Sequence, residues 1–131
     1  MTSFPLFTEL EEHRDKANAT FHHNTKPVLV ERLQMFGFER IESENRELYR
    51  LTEKATGNHY LLEISQYEIT VKFKHIKSGE EVKVCSISNF ELSAHTMMEI
   101  IINTIDSWLQ YGVIYDYATA QKFDERAKAR A

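Results

Sequence analysis

The chain has 131 residues, 42% hydrophobic and 27% charged, with 16 Lys and Arg against 20 Asp and Glu for a net charge of −4. That length suits one domain, residues 1–131, able to bury about two thirds of its unfolded surface, and the composition excludes disordered and fibrous classes. The negative balance opposes broad attraction to nucleic acid or anionic membrane, the lone Cys85 forbids an internal disulfide, and no apolar run approaches the ~20 residues of a membrane span. These features predict a cytoplasmic domain.

The first predicted helix follows Pro5, where Thr8 and Glu11 have capping-box spacing and Leu6, Leu10, Ala17 and Phe21 recur at near-helical intervals. It is expected to fade near His22-His23-Asn24. A second helix is marked by Thr25 as cap, Pro27 in the first turn, Leu29, Leu33 and Phe36 on one face, and Gly37 as terminator. Phe38 and Ile41 mark a short strand, a fifth beside the four that follow.

Those four strands carry the clearest pattern in the chain. Alternating apolar and polar residues predict strands at Leu48–Glu53, Asn58–Ile64, Tyr67–His75 and Val82–Ile87. The connecting turns are Lys54-Ala55-Thr56-Gly57, Ser65-Gln66 and the stretch around Ser78-Gly79, and Ser65-Gln66 lacks the Gly or Asn that a primed two-residue turn prefers. The registers these turns impose place Leu51, Tyr60, Val71 and Ser86 in one row, Tyr49, Leu62 and Ile69 in the next, and Phe73 opposite Val84, all on one face along with Tyr67. The other face receives Thr52, His59, Lys72 and Cys85 in one row and Arg50, Leu61, Thr70 and Ile87 in another. It is expected to meet water.

From about Leu92 to Tyr111, the residues Ala94, Met97, Met98, Ile101, Ile105, Trp108 and Leu109 form an apolar stripe at helical spacing. Ser88 with Glu91, or Ser93 alone, can cap this helix, and Gly112 ends it. Burying such a stripe is worth on the order of 1.5–3 kcal/mol per large side chain, which directs it onto the apolar sheet face. Residues 113–131 are helix-prone but thinly apolar, with Tyr117, Ala120, Phe123 and Ala127, and read as a loosely docked tail. The predicted fold is two-layer α+β: a four- or five-stranded antiparallel meander with N-terminal helices and a long C-terminal helix packed on one face.

Chemistry-bearing patterns are weak by comparison. The four glycines each serve as a turn or helix terminator, so no phosphate-cradling loop can be assembled. Cys85 beside Lys72 would have its thiolate favoured, yet the predicted rows separate it from His59 by two strands, roughly 10 Å, beyond reach of a base. A bulge shifting Val84 and Cys85 would send the cysteine into the core. His95, Glu99, Asn103 and Asp106 share the polar side of the long helix, as a solvated face requires, and metal sites usually draw on more than one element. No cofactor or metal is expected.

The predicted function is therefore a small protein–protein interaction module, an adaptor, inhibitor or chaperone-like protein acting by surface contact without catalysis, with self-association as one form of that contact. The residues assigned to partner binding are Leu61, Ile87, Arg50 and Lys72 on the outward sheet face, with Tyr111, Tyr115 and Tyr117 beyond the long helix. A nucleic-acid-binding domain using Arg50, Lys72, Lys74, Lys83 and the tail cations is the alternative, disfavoured because the sheet aromatics fall on the covered face. A small enzyme using Cys85 or the His95/Glu99 pair stands third.

Overall fold

The computed structural model describes residues 3–114, with side chains from residue 8 onward. Helix α1 (Ser3–Thr20) runs into a π-helical turn (Phe21–Thr25) and then helix α2 (Lys26–Phe36). The expected break at His22–Asn24 does not occur. Thr20 and Thr25 both have helical backbone, neither side chain caps, and Thr8 and Glu11 lie inside α1. Pro27 explains the wide turn. Its ring lacks an N–H and would collide with the carbonyl four residues back. The wider spacing, seen in the bond from the Lys26 N–H to the Phe21 carbonyl, makes room while the helix continues. Gly37 ends α2 at φ 125°, where a Cβ would also stand 3.1 Å from Leu51 Cδ1.

Strands β1 (Glu39–Ile41), β2 (Glu47–Thr52), β3 (His59–Ile64), β4 (Ile69–Lys74) and β5 (Glu81–Ile87) form an antiparallel sheet in sequence order. Helix α3 (Ala94–Tyr111) follows. The fold is α+β, as the alternation predicts, and the short fifth strand is present.

The β2–β3 register is the predicted one, with Leu51 opposite Tyr60 and Tyr49 opposite Leu62. The β3–β4 register is displaced by two residues, pairing Tyr60 with Phe73 and Leu62 with Val71. The cause is Ser65: its hydroxyl accepts from the Glu68 N–H and donates to the Glu68 carbonyl, closing a four-residue turn in place of the two-residue one. A two-residue slip keeps every side chain on its face, so Tyr60, Leu62, Ile69 and Val71 are buried as expected. Tyr67, however, sits in the turn, exposed beneath the Arg14 guanidinium.

In β5 the outcome differs. Val71 pairs with Cys85 and Lys72 with Lys83, so Val84 is the extra residue of a β-bulge. Beyond it the faces exchange. Cys85 and Ile87 point into the core while Ser86 faces water, the reverse of the predicted rows.

Helix α3 covers the inner face with Met97, Ile101 and Ile105, and its start is capped by Ser93, whose Oγ accepts from the Thr96 N–H at 3.1 Å. Leu29 and Leu33 of α2 join the same core. At one end of the sheet Phe21 stacks on Phe90; at the other, Phe73 lies between Tyr60 and Trp108. Since Phe21 precedes α2, Phe90 precedes α3, and Gly37 and Trp108 both lie toward the Leu51–Tyr60–Phe73 end, the two helices run in the same direction across the sheet.

Candidate docking surfaces

The outward sheet face carries the predicted residues Arg50, Leu61 and Lys72 in one cross-strand row, with Lys83 beyond. Leu61 is half-buried, lining a depression of about 140 Å³ with Arg46, Glu63, Thr70, Lys72 and Glu81. Arg46 grips Glu63 through two hydrogen bonds of 2.7 and 3.1 Å. Those bonds, with the charges of Arg46 and Lys72, hold the Glu63 carboxyl below its ordinary value. Burial, then the charges of Arg50 and Lys74, push His59 down. The face is thus a lattice of mixed charges around one leucine. Ile87, predicted to share it, is 4% exposed on the opposite face because of the bulge, and is withdrawn from the site. On the far side of β2 the short strand β1 completes the sheet.

A more apolar surface lies between the helices. With Leu29 and Leu33 of α2 and Met97, Ile101 and Ile105 of α3 turned to the core, their flanks leave Val28, Met35, Phe36, Met98 and Ile102 around an open groove of about 600 Å³. Glu31 and Arg32 edge it. Met35 is 81% exposed, the largest exposure among the described large hydrophobic residues. Leu109, expected in the buried stripe, is 55% exposed; it continues the Met98–Ile102 line one heptad further along α3.

One polar chain crosses the rim. The Arg32 guanidinium donates to His95 Nδ1 at 3.5 Å, and His95 Nε2 stands 2.8 Å from Glu99. In the tautomer with its hydrogen on Nε2, the ring accepts from Arg32 at Nδ1 and donates to Glu99 at Nε2. The His95/Glu99 pair singled out in the sequence therefore links α2 to α3 at the surface.

Cys85 is 8% exposed, and burial pushes its thiol up against the opposing influences of a Thr104 hydrogen bond and the Lys83 charge. It is a core residue, not an activated nucleophile. Among the described residues no group of three His, Cys, Asp or Glu side chains could hold a metal ion. Nor is any described helix long and apolar enough to cross a membrane.

A partly buried cluster not foreseen in the sequence sits where β2 meets α2. Glu47 accepts from Tyr49 Oη at 2.7 Å and from Lys26 Nζ at 3.0 Å, with Arg40 nearby. Burial works to raise the Glu47 carboxyl, but the Tyr49 and Lys26 hydrogen bonds and the two cations outweigh it and hold the group below its ordinary value. The Tyr49 phenol is pushed up to about 12 by burial and by Glu47. This cluster ties the sheet to the helix, with Glu47 and Lys26 part-buried and Arg40 half exposed at its edge.

Of the aromatics assigned to partner binding, Tyr111 ends α3 at 73% exposure, with Val113 and Ile114 exposed after it. Tyr115 and Tyr117 lie outside the described residues, as does most of the expected tail. Sequence reasoning missed Val28, Met35 and Ile102. The trace they left is an excess: α2 and α3 carry more apolar residues than one buried stripe needs. No family model, curated protein or solved structure matches the chain.

Proposed function

We propose that the domain is a protein-interaction module whose α2/α3 groove receives the apolar side of a partner helix. A single observation carries this reading: Met35 is left 81% exposed at a groove whose other walls are Val28, Phe36, Met98 and Ile102. Exposed apolar surface of this kind is kept for contact, and a trough between two helices suits an amphipathic helix laid along it. The outward sheet face, with one half-buried leucine among paired charges, offers less apolar area.

The test is a Met35→Glu change in the tagged protein, purified from its native cell. Met35 is so exposed that the substitution should leave the melting temperature nearly unchanged while co-purifying proteins are lost. An unchanged set of co-purifying proteins would remove the groove as the site. Leu61→Asp serves as the comparison on the sheet face.

A second reading has its own support. Arg50, Lys72, Lys74 and Lys83 share the outward face, and after burial the charges of Arg50 and Lys74 help push His59 down. Binding of oligonucleotides there would weaken steeply with salt. Glu63 and Glu81 dilute that field, and Tyr60 and Phe73 lie on the inner face, where no base bound to the outer face can stack on them.

A further inference from the structure

We propose that the α2/α3 groove docks a second copy of this chain, the two α2 helices packing antiparallel about a two-fold axis that passes between Glu31 and Arg32. This rests on reading the groove as a docking surface and names the partner that fills it.

The support lies in the order of residues along the outer side of α2. Val28, Glu31, Arg32 and Met35 fall at i, i+3, i+4 and i+7, so they share one helix face, and all four border the groove. The core takes Leu29 and Leu33 from the other side of the helix. Val28 is 43% exposed, Met35 is 81% exposed, and the two charged residues between them are exposed as well. The pattern is symmetric about the Glu31–Arg32 peptide bond: a charge adjoins the bond on each side and an apolar side chain lies three residues beyond it. The two charges are opposite.

A two-fold contact sets each residue against the one equally far from the axis on the other copy. With the axis at this bond, Val28 meets the second copy's Met35 and Glu31 meets the second copy's Arg32, and each pair occurs twice. A parallel pairing would set Glu31 against Glu31 and Arg32 against Arg32. Charge therefore selects the antiparallel course.

The groups needed for this contact are not consumed within one copy. Among the described residues Glu31 has no ion pair, and the Arg32 side chain donates only to the His95 ring, at 3.5 Å. The other N–H groups of the guanidinium can meet a carboxylate. Met35 is unbranched and adapts to an apolar surface. The same axis sets the α3 flanks of the two copies on one side of the contact, so Met98 and Ile102 extend the shared apolar area.

Sedimentation of the purified full chain over a concentration series is the test. The mass should start at 15.4 kDa when dilute and approach twice that between about 10 μM and about 1 mM, as a small interface requires. Met35→Glu should keep the chain monomeric throughout. Glu31→Lys alone and Arg32→Glu alone should each weaken the dimer by about tenfold or more, because each brings like charges together twice. The two reversals combined in one chain should restore the parental affinity, and an equimolar mixture of the two single variants should pair. Melting temperatures close to the parent's serve as the control for an intact fold.

A monomer at every concentration overturns the proposal. So does a dimer indifferent to Met35→Glu, or one that the combined reversal fails to restore. The failure of this proposal and that of the docking reading are distinct results. If the chain stays monomeric yet Met35→Glu loses the co-purifying proteins, docking stands and the occupant is a different protein. If the chain stays monomeric and Met35→Glu changes nothing that co-purifies, both fall.

Discussion

The rings of Phe21 and Phe90 stack with centroids 4.0 Å apart and 18° between their planes, joining the π-helical turn before α2 to the loop before α3. Phe21 is fully buried. This pair closes one end of the core, and the His22 ring also meets Phe90 edge-on with centroids 5.7 Å apart. Phe21→Ala should cost about 3–5 kcal/mol in urea unfolding, the range for a deleted buried aromatic. A loss under about 1 kcal/mol would mean that the end of the core is not closed this way.

Tyr60 makes the opposite case. Its hydroxyl is buried with no hydrogen-bond partner among the described residues, while its ring packs on Phe73. Burial and the Glu53 charge push the phenol up to about 12. Removing an unsatisfied buried hydroxyl should not destabilise, so Tyr60→Phe should match the parent or exceed it by up to about 1 kcal/mol. A clear loss on thermal melting would reveal a partner for that oxygen.

Cys85 should resist thiol reagents. Its sulfur is buried beside Thr104 and Val84, and the raised thiol leaves little thiolate at neutral pH. Labelling by an aromatic disulfide reagent should be slow in the native protein and immediate in denaturant. Fast native labelling would place the cysteine on the outer face, as the uninterrupted strand pattern first implied.

The Glu47 cluster contributes to the acid limb of stability. Its carboxyl is held below the ordinary 4.5, so its contribution is complete above that pH and lost as pH falls through the depressed native value. Glu47→Gln should remove about 1–2 kcal/mol at pH 7 and progressively less below pH 4.5. A penalty independent of pH would show that packing, not ionisation, is what the carboxyl supplies. At the alkaline end Tyr49 works in the reverse sense: its contribution is complete below pH 10 and lost as pH rises towards about 12.

Strand parity was legible because β2, β3 and β4 obey a period of two, and Gly57 announces the first turn. What escaped were features set by single atoms. A hydroxyl on Ser65 lengthens a turn by two residues, and nothing in the apolar pattern marks that. The bulge at Val84 reverses Cys85 and Ile87, and three successive small or β-branched residues at 84–86 fit either phase. The π-helical turn was hidden behind signals that ordinarily separate two helices, a threonine and a following proline. The groove was hardest to foresee, because it depends on how α2 and α3 lie against each other, which no helical wheel contains.

Every strand of the meander hydrogen-bonds to its neighbour in sequence, from β1 through β5. Hairpins of this kind close short segments one after another, and no distant ends must meet before the sheet begins to gain contacts. The sheet can therefore assemble by zippering outward from any one hairpin. Only the two flanking helical segments, from opposite halves of the chain, have to find each other late.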